Sequence, residues 1–252
     1  MVAIKMKIRE LLHVIHKKNS IILLMGLLSS SCFKNSGVTE DEDVQINTAQ
    51  KIVIIGSSIA SGVGATKYDS SWSGRLAIAY KGKFVVVNLA KGGYRTDNIV
   101  PTPIKLGNQN TVDTTCNVDA AIKMHPLCII VSMTTNDVAQ GTPVAEIIDN
   151  LKIIKTYANQ QKVKYIFITT AFPRNLNGSA TALYALQSTE TLKEFGKMGI
   201  DIYSPFVGLN YLPIKTYLYS DGLHPNNIGH KIIFDSVSTV LARNNKVFAL
   251  KK

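Results

Sequence analysis

Only three cysteines occur in the 252 residues, Cys32, Cys116 and Cys128. So few exclude a scaffold stapled by disulfides. No Cys/His pair has ligand spacing, so no metal is expected. Charge is sparse as well, with 18% charged residues against 46% hydrophobic ones. That balance excludes a disordered polyelectrolyte and points to an ordered α/β core. Long apolar runs are missing too, and Ile21–Leu28 is too short to cross a bilayer. Acidic residues are outnumbered 17 to 28 by Lys and Arg. The surplus is scattered over Lys51, Lys67, Lys81, Lys83, Lys152 and Lys155, with no basic stripe and no interleaved aromatic platform. Nucleic acid is therefore not an expected partner. A solvated basic surface fits better, with weak affinity for anionic lipid or polysaccharide. Internal repeats and low-complexity segments are absent.

What is present begins with a leader. Lys5, Lys7, Arg9, Lys17 and Lys18 precede the apolar run, and Ser29-Ser30-Ser31 lead to Cys32. Residues 1–31 resemble a bacterial lipoprotein signal, which implies export and lipidation of Cys32 as the mature N-terminus. An ordinary secretory signal with an incidental cysteine is the plainer alternative. The resemblance implies a protein of the cell envelope, attached to the outer membrane and facing the periplasm or the cell surface. The five basic residues and Glu10 account for +4 of the formal +11, leaving about +7 after cleavage. Residues 32–50 are polar, with the acidic cluster Glu40-Asp41-Glu42-Asp43, and read as a flexible tether. In an oxidising compartment a Cys116–Cys128 disulfide stays open. Cys128 falls in an apolar run, where a lone cysteine behaves as a small hydrophobe.

Residues 51–247 alternate between two kinds of pattern. Apolar, β-rich runs at Ile52–Ile55, Phe84–Leu89, Leu127–Met133, Lys164–Thr169 and Ile200–Tyr203 suit parallel strands covered on both faces. Helical stretches separate them at Trp72–Tyr80, Val118–Met124, Val144–Asn159, Thr181–Met198 and Ile228–Ala242. Five strands with crossover helices predict a three-layer α/β/α sandwich, with a flavodoxin-like, doubly wound, five-stranded parallel sheet. Ligands in such sheets sit beyond the carboxyl ends of the strands.

The chemistry-bearing residues fall at those ends. Gly56-Ser57-Ser58-Ile59 follows the first strand, and a helix after this turn would aim its N–H groups at an anionic oxygen there. A serine hydroxyl needs a base to take its proton. His224 is the best-placed base, and Asp221, three residues earlier, can hold its Nδ1–H. Asn88-Leu89-Ala90-Lys91-Gly92-Gly93 closes the second strand, and Thr134-Thr135-Asn136-Asp137 closes the third. The N–H of Ser58, the N–H of Gly93 and the Asn136 carboxamide together make a candidate oxyanion hole. Each segment alone reads equally well as a turn or a helix cap.

In this order the four segments resemble the SGNH (GDSL-type) hydrolase family over about residues 51–245. The family's Gly-Asp-Ser-Leu block stands here as Gly56-Ser57-Ser58-Ile59, and its Gly-x-Asn-Asp block as Thr134-Thr135-Asn136-Asp137. Its Asp-x-x-His block stands as Asp221 to His224. The resemblance implies a triad of Ser58, His224 and Asp221 and an oxyanion hole of Ser58, Gly93 and Asn136. Ser57 and Thr134 depart from the pattern, and Thr134 would narrow the space beside the oxyanion hole.

Among the remaining residues, Asp137 is expected to cap a helix or brace the Asn136 loop. His125 and His230 are expected to be structural or exposed. Trp72 is expected to pack the first helix onto the sheet, with sugar stacking as its alternative; Arg174, past the fourth strand, is a candidate to reach substrate, with an ordinary solvated arginine as its alternative.

The expectation is a lipid-anchored serine esterase without cofactor. Its expected partners are an acylated carbohydrate or lipid and the membrane that holds the anchor. No long apolar lid is evident, which favours a small acyl group such as O-acetyl on a carbohydrate. Lysophospholipid or other fatty-acyl hydrolysis is the enzymatic rival. An inactive glycan-binding lipoprotein of the same fold is another. A flavodoxin-like flavin binder is the rival from a different class, although Gly62-Val63-Gly64 lacks the third glycine of a dinucleotide fingerprint.

Overall fold

The computed structural model describes residues 50–104, 112–174 and 179–250. The leader 1–31, Cys32 and all of the tether except Gln50 lie outside the described residues. Strands β1 (Lys51–Gly56), β2 (Val85–Asn88), β3 (Cys128–Ser132), β4 (Tyr165–Thr169) and β5 (Gly199–Ile200) form one parallel sheet in the order β2-β1-β3-β4-β5. The helices are α1 (Ser58–Ser61), α2 (Trp72–Ala79), α3 (Val118–Ile122), α4 (Thr135–Ala139), α5 (Val144–Gln160), α6 (Ser179–Phe195) and α7 (Asn227–Asn244).

The sheet is covered on both faces because its strands are apolar at successive positions. Val53, Ile55, Ile129, Val131, Ile166 and Ile168 face one core with residues of α3, α5 and α6. Ile52, Ile54, Cys128, Ile130, Phe167 and Ile200 face the other with α1, α2 and α7. Alternate residues of a strand point to opposite faces, so an uninterrupted run such as Ile52–Ile55 feeds both cores. Each such fully buried aliphatic side chain contributes about 1.5–3 kcal/mol. The result is the expected three-layer, doubly wound sandwich.

Differences from the sequence reading lie at element ends and in the short helix α4, which none of the expected helical stretches covered. The fifth strand is only Gly199–Ile200, not Ile200–Tyr203, because Asp201 Oδ1 accepts the N–H groups of Tyr203 and Ser204 and turns the chain away. The third helix stops at Ile122, and the sixth passes into a 3-10 turn at Gly196–Met198. Side-chain caps start three helices: Ser71 accepts from Gly74 N, Asn117 from Ala120 N, and Asn226 from both Ile228 N and Gly229 N. Cys116 and Cys128 are both buried free thiols, which closes the disulfide question. Trp72 is wholly buried, its indole N–H donating to Ile59 O, so it packs and has no exposed face for a sugar. Among the described residues no helix is long and apolar enough to cross a membrane.

Beyond β1 the chain turns to one side of the sheet, toward β2, and beyond β2 it crosses to the other, toward β3. Loops at the carboxyl ends of β1 and β3 therefore part from one another and leave a crevice.

Candidate active site

Ser58 opens α1 directly after β1. The turn is tight: a Cβ on Gly56 would stand 2.3 Å from Ser132 O and 2.8 Å from Ala60 Cβ. Any side chain there would push β1 away from β3 or from its own helix. The helix expected after this turn is a single turn of four residues, closed by Gly62 at φ +99°. It is too short to carry a macrodipole of consequence. What it supplies is local, because Ser58 N–H, as the first helical residue, has no acceptor within the helix.

The candidate base comes from the far end of the sequence. His224 Nε2 lies 2.9 Å from Ser58 Oγ, and His224 Nδ1 lies 2.7 Å from Asp221 Oδ2. With Nδ1–H donating to the carboxylate, the Nε2 lone pair is left to accept from the serine hydroxyl. The other Asp221 oxygen accepts the backbone N–H groups of Leu223 and His224 at 2.8 and 3.0 Å. Partial burial pushes the Asp221 carboxyl up. Hydrogen bonds from the His224 ring and from these two amides outweigh that effect and hold it below its ordinary value.

The loop bearing His224 is fastened at both ends. Tyr219 N donates to His224 O at 2.7 Å, and Asn226 Nδ2 donates to Thr216 O and Leu218 O while its Oδ1 caps α7. The loop after α1 touches it. A Cβ on Gly64, at φ +94°, would meet Pro225 O at 2.3 Å and His224 Cβ at 3.0 Å, so only glycine lets the two segments meet. His230, on α7, accepts from Trp72 N at 3.3 Å and donates to Val63 O at 3.1 Å. It is a buried tie between α7 and the same loop, and burial holds its pKa down to about 4.

Opposite the base, three loops are stitched together. Lys91 N donates to Gly56 O at 3.0 Å, which draws the segment after β2 to the nucleophile turn. Within it Gly93 adopts φ +81°, and its amide has no acceptor among the described residues. The segment is anchored by Asp113, which accepts from Lys91 Nζ at 3.0 Å, from Tyr94 Oη and from Thr115. Those donors, the Thr115 hydroxyl foremost, hold the Asp113 carboxyl well below the carboxylate range. Asn136 Nδ2 donates to Tyr94 O at 2.9 Å, and Asn136 Oδ1 accepts from Arg174 Nη2 at 2.6 Å.

The sequence missed two features of this half. Gly92, not Gly93, has its missing side chain aimed at Ser58: a Cβ on it would stand 3.9 Å from Ser58 Cβ, whereas one on Gly93 meets nothing within 4 Å. The doubled glycine was the available signal. Arg174 bonds the Asn136 carboxamide, an attachment that no spacing rule reveals.

Residues 54–232, well over half of the chain, match the GDSL-like lipase/acylhydrolase family. The chain belongs to that family. It is a serine ester hydrolase of the GDSL type. No curated protein matches it. Among solved structures, the psychrotrophic esterase EstA from Pseudoalteromonas is 16% identical, with a TM-score of 0.58 over 78% of this chain and 100% of that one. A variant of an acetyl-xylooligosaccharide esterase from Geobacillus stearmophilus is 15% identical, with a TM-score of 0.56 over 76% of this chain and 94% of that one. A two-domain esterase active on acetylated mannans is 15% identical, with a TM-score of 0.54 over 77% of this chain and 49% of that one.

Against the GDSL-type pattern, Thr134 stands where the family has glycine. It keeps a left-handed backbone, φ +86°, which a β-branched residue adopts at a cost of about 1–3 kcal/mol. Its hydroxyl is buried without a partner. Asp137 braces the site from below: its Oδ1 accepts Thr96 N and Thr96 Oγ1 at 2.9 and 2.6 Å, while its Oδ2 is buried and unpaired. Burial pushes its pKa up to about 6. Ser57, in place of the family's aspartate, is buried and makes no side-chain cap to α1. His125 is exposed at φ +52° and precedes β3, at the opposite end of that strand from Asn136. Among the described residues no group of three His, Cys, Asp or Glu could hold a metal ion.

Proposed function

We propose that Ser58, His224 and Asp221 form a catalytic triad that hydrolyses O-acetyl esters on a carbohydrate. The observation that carries this reading is the continuous hydrogen-bonded chain from Ser58 Oγ through the His224 ring to Asp221, at the carboxyl edge of the sheet. Ser58 Oγ attacks the ester carbonyl as His224 Nε2 takes its proton. A C–O bond forms, and the carbonyl π pair moves onto oxygen, facing Ser58 N–H, Gly93 N–H and Asn136 Nδ2. Collapse of that intermediate returns the pair, breaks the bond to the leaving alcohol and passes it the proton from His224. Water repeats the sequence on the acyl-enzyme, releasing acetate and restoring Ser58.

Two features support a short acyl group on a sugar. No long apolar lid covers the triad among the described residues, and two structural neighbours act on acetylated mannans and acetyl-xylooligosaccharides. Fatty-acyl hydrolysis is the second reading. It is favoured by a hollow of about 230 Å³ in the segment leading to Asp221, lined mainly by Leu212, Pro213, Leu218 and Tyr219, with Lys215 and Ser220 as its polar members. The basic leader and Cys32 support export with a lipid anchor in the cell envelope, which Cys32→Ser tests by releasing the protein from the membrane fraction.

Hydrolysis of a p-nitrophenyl ester series from acetate to palmitate separates the readings. The expected result is fastest turnover of acetate, with Ser58→Ala and His224→Ala each slower by at least about 10³-fold. Preference for long chains overturns the deacetylase reading, and equal rates in all three proteins overturn the triad.

A further inference from the structure

Arg174 sits just beyond β4, half-buried, with Nη2 on Asn136 Oδ1 at 2.6 Å. Among the described residues it forms no ion pair, and its Nε is buried without an acceptor. A guanidinium is always charged, and leaving that charge half-buried and unpaired is costly unless something offsets it. Among the described residues its polar partner is the carbonyl end of the proposed oxyanion-hole amide.

We propose that Arg174 is a positioning residue for the oxyanion hole, acting through Asn136. This rests on the triad reading above. The geometry leaves the carboxamide one orientation: Oδ1 must accept from the guanidinium, and Nδ2 must donate to Tyr94 O. One Nδ2 hydrogen is then free for the substrate. A charge-assisted bond to Oδ1 draws electron density from the amide and strengthens its N–H as a donor. The charge therefore reaches the reacting oxygen at one remove. It matters most when that oxygen becomes negative, so the benefit appears in kcat and not in ground-state binding. The unpaired charge that is unfavourable in the resting enzyme gains its counter-charge in the tetrahedral intermediate.

The test is kcat and KM for p-nitrophenyl acetate in wild type, Arg174→Ala, Arg174→Met, Asn136→Ala and the Arg174→Ala/Asn136→Ala double variant. Arg174→Met keeps an apolar stem against its neighbours and guards against a variant that fails to fold. Both single replacements at 174 are expected to lower kcat about 10–100-fold with KM within about threefold. Guanidinium ion at tens of millimolar is expected to restore part of the activity of Arg174→Ala, while urea, its neutral counterpart, does not. In the Asn136→Ala background, removing Arg174 is expected to cost less than about twofold, because the route through the carboxamide is already gone.

An unchanged kcat in both variants at 174 overturns the proposal, as does an undiminished loss in the Asn136→Ala background. Ser58→Ala run alongside keeps the two failures apart. If it is inactive while Arg174→Ala is unimpaired, only the role of Arg174 falls. If it is as active as wild type, the triad falls and takes this inference with it.

Discussion

The two halves of the site are built in opposite ways. The base half, Asp221 and His224, stands on a partly exposed loop whose polar groups are paired: both Asp221 oxygens accept hydrogen bonds, and Asn226 ties the loop down. The oxyanion half around Asn136 is buried and carries unpaired atoms at Thr134 Oγ1, Asp137 Oδ2 and Arg174 Nε. It also holds a β-branched residue at positive φ. A loop in water can satisfy its own groups locally. A buried polar cluster cannot, and it holds strain that the surrounding core must offset. Within this fold hydrogen bonds hold both halves, but only the Asn136 half combines them with burial and with polar atoms left unpaired among the described residues.

The largest expected effect breaks the base half. Asp221→Asn retains the shape of the loop but presents an amide to His224, favouring the wrong tautomer. A loss of about 10²–10⁴-fold in kcat is expected, read from aryl-acetate hydrolysis. A loss under about threefold would show that the loop alone orients His224.

A smaller effect sets the two halves against each other through pH. His230, behind the base loop, has its pKa lowered from 6.5 to about 4, chiefly by burial, with the charge of Arg75 adding to it. The unfolded chain therefore takes up this proton first as pH falls. Its share of stability is complete above about pH 6.5 and is lost toward pH 4, by up to ~3 kcal/mol. Asp137, under the oxyanion half, is raised from 3.8 to about 6, again chiefly by burial. Its folded form takes up the proton first, so acidification from pH 6 to 4 favours folding by a similar ~3 kcal/mol. The two slopes oppose one another in one window. Urea unfolding of Asp137→Asn at pH 4.5 and 7 is expected to show a steeper acid loss than wild type, and His230→Gln a shallower one. Unchanged slopes in both variants would remove the contrast.

The smallest effect sharpens the strain. Thr134→Gly frees the left-handed residue and deletes an unpaired hydroxyl, against the entropic penalty of glycine. A gain of about 1–2 kcal/mol at pH 7 is expected in urea denaturation. Destabilisation would mean that the threonine methyl packs well enough to offset its backbone.

Much of the fold was legible because its signals are local. Ile52–Ile55 and Leu127–Met133 are runs that only a strand covered on both faces can bury, and helical periodicity marked 144–159 to within a residue. Asp221 and His224 were legible as a pair because a spacing of three on a loop is itself a local geometry. The fifth strand was misjudged at its end because Asp201, a single turn-forming side chain, overrode an apolar pattern. Gly92, Arg174 and the strain at Thr134 were not legible. Their significance lies in contacts between segments 34 to 38 residues apart or in a backbone angle imposed by packing.

By itself the sequence determined the strand and helix periods, the parallel class of the sheet and the residue types available for acyl transfer. Those follow from side-chain hydrophobicity and from spacing along the chain. Only the tertiary structure decided that Ser58 and His224, 166 residues apart, meet at 2.9 Å, and that the Arg174 guanidinium lies against the Asn136 carboxamide. The physical reason is that sheet order and crossover packing set distances across the chain, and nothing in the local sequence encodes which loop ends face one another.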